Sequence, residues 1–149
     1  FKIEQGDLIY SYIHNAYSTK TGKIGVLVSF ESNLSKEILA ELGRKVAMHI
    51  AAADPLPLAL NTQDIDPAVV EREREIFTEQ AKASGKPAVV IEKMLEGKMR
   101  TFYEGVVLNE QNFVLGDKVK IKDLVSNFAK EKGGTASIKS FQRFQIGSK

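Results

Sequence analysis

The sequence predicts an α+β fold: a small antiparallel three-stranded sheet with helices packed on one face and an inserted antiparallel helical hairpin. Three observations lead to this prediction. Two short runs rich in β-branched and aromatic residues, LIYSYI and KIGVLVSF, are separated by a polar stretch. Two helical patterns in the middle of the chain are separated only by the turn SGKP. A segment of alternating character near the end is typical of an antiparallel strand with one buried face.

The first part of the chain predicts a β-hairpin followed by a helix. The two runs at Leu8–Ile13 and Lys23–Phe30 are the predicted strands. Ser35 is a candidate N-cap, and after it apolar residues recur at every fourth position until Asp54 and Pro55 stop the pattern. The recurring residues are Ile38, Leu42, Val46 and Ile50. This spacing predicts an amphipathic helix packed on the sheet.

Residues 66–103 form the predicted helical hairpin. Asp66 and Pro67 suit the N-cap and the first position of a helix that reaches Ala83, and a second helix follows over Pro87–Tyr103. Because the turn is so short, the two helices must lie antiparallel, each roughly 25 Å long at about 1.5 Å rise per residue. We therefore predict a core made of residues 1–65 and 104–149, with a coiled-coil finger at 66–103 inserted in it.

The remaining elements complete the predicted core. Gly105–Leu115 contains two apolar runs and predicts an extended segment with a break. Ile121–Ala129 follows helical spacing without a miss, and a pair of glycines at 133 and 134 ends that helix. In the last segment, Ala136–Ile146, one face is predicted to carry Ile138, Ser140, Gln142, Phe144 and Ile146, and the other Lys139, Phe141, Arg143 and Gln145.

Composition excludes several classes of function. The 149 residues, 43% of them hydrophobic, suit one compact domain. Because Lys and Arg number 21 against 19 Asp and Glu, a dedicated nucleic-acid binder is disfavoured. There is no cysteine, which excludes disulfides and thiolate metal sites and allows an intracellular home. The apolar runs are too short to span a bilayer. The chain opens at Phe1 with no visible leader, so a fragment of a longer protein is expected.

Motifs of catalysis are also missing from the sequence. The two histidines, His14 and His49, have no metal-ligand spacing, and there is neither a phosphate-binding glycine loop nor a nucleophile elbow. We therefore expect no catalytic residues, no metal and no cofactor. An RNA-binding interpretation would depend on basic and aromatic residues of the last strand, namely Lys139, Phe141, Arg143 and Phe144. An ordinary half-buried strand with a solvated edge explains the same residues and is favoured.

Taken in order, five stretches resemble the elongation factor Ts family. They are GDLIYSYIHN at 6–15, GKIGVLVSF at 22–30, KVAMHIAAADPL at 45–56, the long helical segment with its SGKP turn and EKMxEGxM pattern at 71–114, and FQRFQIG at 141–147. Together they cover nearly the whole chain, and their order makes the resemblance specific. It implies a core subdomain of three antiparallel strands interrupted by a coiled-coil finger.

The resemblance also implies a partner and an activity. The partner would be the GTPase elongation factor Tu, and the activity exchange of its GDP for GTP without covalent catalysis, in the cytoplasm or an organellar matrix. The residues that match the family's contact with the GTPase are Tyr12, His14 and Asn15. From the residues alone, His14 would be a surface histidine without a role, and the resemblance reverses that preference. Met48 and His49 are expected to be structural, and pairing with a second copy of the chain stays open.

One departure from the family pattern bears on exchange. Family members carry a TDFV motif, whose Asp and Phe reach towards the nucleotide's magnesium site, but here the equivalent segment Ser29–Leu34 reads SFESNL. The expected explanation is that the chain is the second half of a long-form factor; a paralogue that has lost exchange is the alternative. Two functions are therefore open: a GTPase-binding part of an exchange factor, and a ribosome- or RNA-associated module without exchange activity.

Overall fold

Strand β2 (Lys23–Ser32) is the centre of a three-stranded antiparallel sheet, between β1 (Leu8–Asn15) and β3 (Ala136–Ile146). The computed structural model describes residues 8–15, 23–116 and 118–146, apart from the side chains of residues 14, 15, 23 and 146. The helices described are α1 (Lys36–Ala52), α2 (Pro67–Ala83), α3 (Ala88–Val106) and α4 (Ile121–Glu131). The predicted α+β class with a three-stranded antiparallel sheet is confirmed.

The chain divides into two compact units. Phe1–Leu56 and Asn112–Lys149 form one, here called the core unit, and Pro57–Gln111 form the other, here called the arm unit. The core unit contains the sheet together with α1 and α4, and the arm unit contains α2 and α3. The arm unit is longer than the finger predicted at 66–103.

Alternate residues of β2 form the centre of the core unit. Val26, Val28 and Phe30 are almost completely buried, because alternate residues of a strand point to the same face and α1 packs on that face. Four residues of α1 with no exposed surface complete this layer: Leu39, Leu42, Val46 and Ile50. Burial of apolar surface contributes about 25 cal/mol per Å², so this layer stabilises the unit.

Helix α1 begins where the sequence predicts, but its buried stripe begins one residue later. The Ser35 hydroxyl accepts a hydrogen bond from the Ile38 N–H at 3.3 Å, which confirms the predicted N-cap. The Ile38 side chain is 44% exposed, whereas that of Leu39 is fully buried. The placement of Ile38 in the buried stripe was therefore wrong. An α-helix has 3.6 residues per turn, so residues at strict four-residue intervals gradually rotate away from the buried face.

Strand β3 contains an irregularity that the predicted alternation missed. The register shifts between Ser29 and Phe30, so that Ser29 pairs with Ser140 but Phe30 pairs with Ile138. One extra residue on β3 at this point changes which residues share a face. Ile138 therefore lies on the same face as Phe141 and is 7% exposed, in contrast to its predicted grouping with Ser140 and Phe144.

The strand predicted at Gly105–Leu115 was also wrong. Helix α3 continues to Val106, and a short 3-10 helix follows at Leu108–Glu110. Only isolated bridges are formed here among the described residues, one of them between Ala59 and Val107. The apolar run is buried, because Val107 and Leu108 have no exposed surface, but burial alone does not distinguish a helix end from a strand.

In the arm unit, α2 and α3 pack along one seam on a small apolar base. The Asp66 carboxylate caps α2 by accepting the Ala68 N–H at 2.9 Å, and Gly85, with φ of 71°, supports the turn into α3. The base is a buried cluster of Ala59, Ile65 and Val107, packed against Val69, Val70, Phe102, Tyr103 and Val106. The chain enters and leaves beside this base, because the Leu58 N–H donates to the Val106 carbonyl at 2.7 Å.

Replacing Pro57–Gln111 with a short Gly-Ser linker should leave the core unit folded. The sheet, α1 and α4 all lie outside the deleted residues, and the deleted segment begins and ends close together, so loop closure is inexpensive. Cooperative thermal unfolding within a few degrees of the full chain is expected. Deleting only 66–103 is the comparison: it removes the cover of the Ala59, Ile65 and Val107 cluster and should increase binding of a hydrophobic dye. A molten product from the longer deletion would contradict the prediction.

Candidate functional site

The predicted contact residues lie together at the end of β1. The backbones of His14 and Asn15 pair with Ile24 and Lys23, so both residues belong to the strand. Their side chains lie outside the described residues, and the contact predicted for them stays a prediction. Tyr12 pairs with Val26 and is half-buried, whereas Ile13 on the opposite face is 59% exposed.

Tyr10 holds β1 against helix α1. Its hydroxyl donates to the Lys36 carbonyl at 2.7 Å, and its ring lies edge-on to Phe30 with centroids 5.8 Å apart. Burial raises the pKa of the Tyr10 hydroxyl above its ordinary value, and the Glu37 carboxylate adds to that rise. The ring occupies the space that a side chain at Gly43 would need. The position of the strand that carries Tyr12 and His14 is therefore fixed by a specific contact.

His49 lies near the end of α1 and is 1% exposed. Its Nδ1 accepts a hydrogen bond from the Val114 N–H at 3.2 Å, and its ring is 6.1 Å from that of Phe113, centroid to centroid. Met48, the other residue expected to be structural, is half-buried. The burial of His49 agrees with a structural role, and its bond connects α1 to a distant segment of the core unit.

That segment is a tight loop over Phe113–Lys120, here called the 113–120 loop. The Phe113 N–H donates to the Val119 carbonyl at 2.7 Å, and the Gly116 N–H donates to the Phe113 carbonyl at 3.1 Å. Lys118 adopts the left-handed conformation, with φ of 57°. The described residues of the loop are thus joined by backbone hydrogen bonds, and none of them belongs to the sheet.

The 113–120 loop presents two adjacent aliphatic side chains to solvent. Val114 is 41% exposed and Leu115 is 70% exposed, while Phe113 beside them is buried. An ordered loop that exposes apolar side chains is a candidate contact surface for another protein. The sequence does not predict this surface, because the run Phe-Val-Leu has the composition of a strand. The turn residues Gly116 and Asp117 directly after the run were the signal that could have indicated a loop.

Residues 32–34, at the end of β2 in a chain without a TDFV sequence, are bonded to the start of β3. The Ser32 hydroxyl donates to the Thr135 carbonyl at 2.6 Å, and the Asn33 Oδ1 accepts the Thr135 N–H at 2.8 Å. Leu34 lies where a side chain at Gly134 would be. These contacts give residues 32–34 a role inside the core unit.

The residues that an RNA-binding surface would need are divided between two faces of the sheet. Arg143 and Phe141 pair with Val26 and Val28, whose side chains point to the face that α1 covers. Phe144 pairs with Gly25 on the other face, and its ring lies over that glycine. Because stacking and phosphate contacts need aromatic and basic groups on one surface, this arrangement does not favour the RNA interpretation.

Within the described ranges, no three His, Asp or Glu side chains come together in a way that could hold a metal ion. Over the same ranges, no helix combines the length and the hydropathy needed to cross a bilayer. The end of β1 and the 113–120 loop are the two candidate contact segments.

Comparison with known proteins gives a consistent family. The family model described as "Elongation factor TS" matches residues 1–148. Elongation factor Ts of Caulobacter vibrioides is 50% identical over 145 residues, which are 97% of this chain and 46% of that protein. Elongation factor Ts of Mesorhizobium japonicum is 46% identical over 139 residues, 93% of this chain and 45% of that protein. The chain thus spans about half the length of these relatives, and it belongs to the elongation factor Ts family.

Proposed function

We propose that this chain binds elongation factor Tu, and that within a longer protein it contributes to the exchange of GDP for GTP on that GTPase. The activity is one of protein–protein binding and involves no covalent catalysis. Family membership supports the choice of partner, because a match over residues 1–148 leaves little of the chain outside the family pattern. The partner and the exchange are inferred for this chain from the family's name and pattern.

The observation that carries the proposal is the exposed aliphatic pair on the 113–120 loop. Val114 and Leu115 stand on a loop whose shape is set by hydrogen bonds, so little conformational entropy is lost when a partner covers them. Segment 113–122 carries three lysines, Lys118, Lys120 and Lys122, and one aspartate. This net positive charge suits an apolar pocket with carboxylates at its rim.

We propose the end of β1 as the second contact. Tyr12, His14 and Asn15 match the family's contact with the GTPase, and Ile13 beside them is 59% exposed. A strand end and a loop that is held by backbone hydrogen bonds require little rearrangement of the backbone on binding. Binding to elongation factor Tu is therefore expected to depend on both segments.

Replacing Leu115 with serine should weaken binding to elongation factor Tu by about tenfold or more while the melting temperature changes little. A 70% exposed side chain contributes little to folding, but its burial at an interface is worth about 1.4 kcal/mol or more if it is a hot spot. Isothermal titration calorimetry with GDP-bound elongation factor Tu measures the effect. His14→Ala tests the strand-end contact in the same assay, and a loss of about tenfold is expected there too.

Ile38→Ser is the matched control for this experiment. Ile38 is an aliphatic residue of the same unit, 44% exposed, on the first turn of α1 and away from both proposed contacts in sequence. Its replacement should leave the affinity within about twofold of the original, since Ile38 belongs to neither proposed contact. The helix should also be retained, because isoleucine and serine have similar helix propensities. If the original chain shows no binding, the proposed function is wrong. If all three variants bind as the original does, the contact surface lies elsewhere.

A further inference from the structure

A buried histidine that accepts a hydrogen bond has a defined chemical state. His49 is 1% exposed, and its Nδ1 accepts the Val114 N–H, so that nitrogen carries no proton and the imidazole is neutral with its proton on Nε2. Burying a polar ring is unfavourable unless its nitrogens are bonded. A leucine of similar size would fill the same volume and would need no hydrogen bond. The hydrogen bond to the Val114 N–H is therefore an interaction that the imidazole supplies and a leucine would not.

The bond from His49 fixes the position of the 113–120 loop relative to α1. The hydrogen bonds from the Phe113 N–H to the Val119 carbonyl and from the Gly116 N–H to the Phe113 carbonyl both join residues within the loop. The His49–Val114 bond joins residues 65 positions apart and reaches the loop at the first of its two exposed aliphatic residues. The contact between the His49 and Phe113 rings supports the same side of the loop.

We propose that His49 is a positioning residue for partner binding: its imidazole holds the Val114 backbone so that Val114 and Leu115 are presented in one fixed place. The inference rests on the proposed function, since the partner is elongation factor Tu, and it adds a binding role to a residue that the sequence analysis expected to be structural. The advantage of the bond is preorganisation, because a loop fixed before binding loses less entropy in the complex.

A membrane surface is the less suitable partner for this loop. One Val and one Leu supply few methylene groups, and at about 0.8 kcal/mol for each buried CH₂ they provide less than the single acyl chain that anchors only marginally. An apolar pocket on a protein needs only these two side chains at its centre. The exposed pair therefore suits a protein contact.

A double-mutant cycle in the binding assay tests the inference. His49→Leu keeps the apolar volume but removes the acceptor, and Leu115→Ala removes the exposed side chain. Each variant alone should weaken binding to elongation factor Tu about tenfold. If His49 acts through the loop, adding Leu115→Ala to His49→Leu should weaken binding by less than about threefold more. A further tenfold loss, to about a hundredfold in total, would mean that the two residues act independently and would overturn the inference.

Two controls separate positioning from stability. His49→Gln keeps an acceptor for the Val114 N–H and should bind within about threefold of the original chain. Leu39→Val removes one methylene from the fully buried face of the same helix; it should lower the melting temperature without changing the affinity. Binding that falls in step with melting temperature in all variants would show that His49 acts only through stability.

A measurement on the unaltered chain keeps the inference testable if His49→Leu does not fold. Nuclear magnetic resonance detects a scalar coupling across an N–H···N hydrogen bond, here between the Val114 amide nitrogen and His49 Nδ1. The coupling is expected, together with slower amide exchange for Val114 than for Leu115. Lack of the coupling, with equally fast exchange at both amides, would overturn the positioning role. If the original chain binds and Leu115→Ala has no effect, the inference fails while the proposed function stands.

Discussion

Gly43→Ala should lower the free energy of unfolding by up to about 2 kcal/mol, although alanine is the better helix former. An alanine Cβ at this position would lie 2.5 Å from Tyr10 Cγ and 3.0 Å from Tyr10 Cβ. A change of χ1 would move Cγ but not Cβ, so the close approach to Cβ would remain unless β1 moves away from α1. Overpacking of this kind usually costs about 1–3 kcal/mol, and the better helix propensity of alanine offsets roughly 1 kcal/mol of that cost.

Gly97→Ala is the matched control, since it makes the same substitution in helix α3. An added Cβ at Gly97 would meet no atom within 4 Å, so only the helix propensity changes. The variant should be more stable by up to about 1 kcal/mol. Urea denaturation followed by circular dichroism measures both variants. Equal effects of the two substitutions would show that the Tyr10 ring yields at little cost, and that packing at Gly43 does not fix β1.

The elements predicted correctly are those specified by neighbouring residues. The Ser35 and Asp66 caps are local signals, because each side chain bonds an N–H two or three positions ahead. The turn between α2 and α3 is similar, since Gly85 supplies the left-handed residue within the turn itself. Such features depend on a few consecutive residues and can be deduced from their order.

The features missed depend on residues far apart in the chain. The shift in register at Ser29 and Phe30 is decided by how β2 meets β3, more than a hundred residues later. Gly105–Leu115 is apolar enough for a strand, but pairing with Ala59 and burial in the arm base determine its actual form. No local pattern contains this information.

The candidate site likewise has one part that could be predicted from neighbouring residues and one part that depends on residues far apart in the chain. The end of β1 could be located from the sequence, because it lies on a clear strand and carries the family's residues. The 113–120 loop could not, since Phe-Val-Leu has the composition of a buried strand, and the hydrogen bond from the Val114 N–H goes to His49, 65 residues earlier. Conversely, the sequence predicts a structural role for His49 but not the Val114 N–H as its hydrogen-bond partner.

We expect this chain to bind elongation factor Tu but to accelerate the release of GDP less than about tenfold. Exchange requires that the factor and the nucleotide weaken each other's binding, and this coupling is equal in both directions. By the family resemblance, the coupling comes from the Asp and Phe of TDFV. No TDFV sequence occurs in this chain, and residues 32–34 are bonded to Thr135 and packed against Gly134 in the core unit. Contacts through the end of β1 and the 113–120 loop should then favour the GDP-bound and empty GTPase about equally.

Release of a fluorescent GDP analogue from elongation factor Tu, with and without a saturating amount of this chain, measures the effect beside the calorimetric affinity. A tenfold acceleration corresponds to roughly 1.4 kcal/mol of transition-state stabilisation, and a smaller value is expected. A full-length family member carrying TDFV is the positive control and should accelerate release by several orders of magnitude. If this chain matches that control, contacts at the loop and the strand end must themselves deform the nucleotide site. Tight binding with little acceleration would instead show that binding to the GTPase and release of its GDP depend on different residues. A surface that binds the GDP-bound and empty GTPase equally cannot shift the equilibrium between them, however tightly it binds.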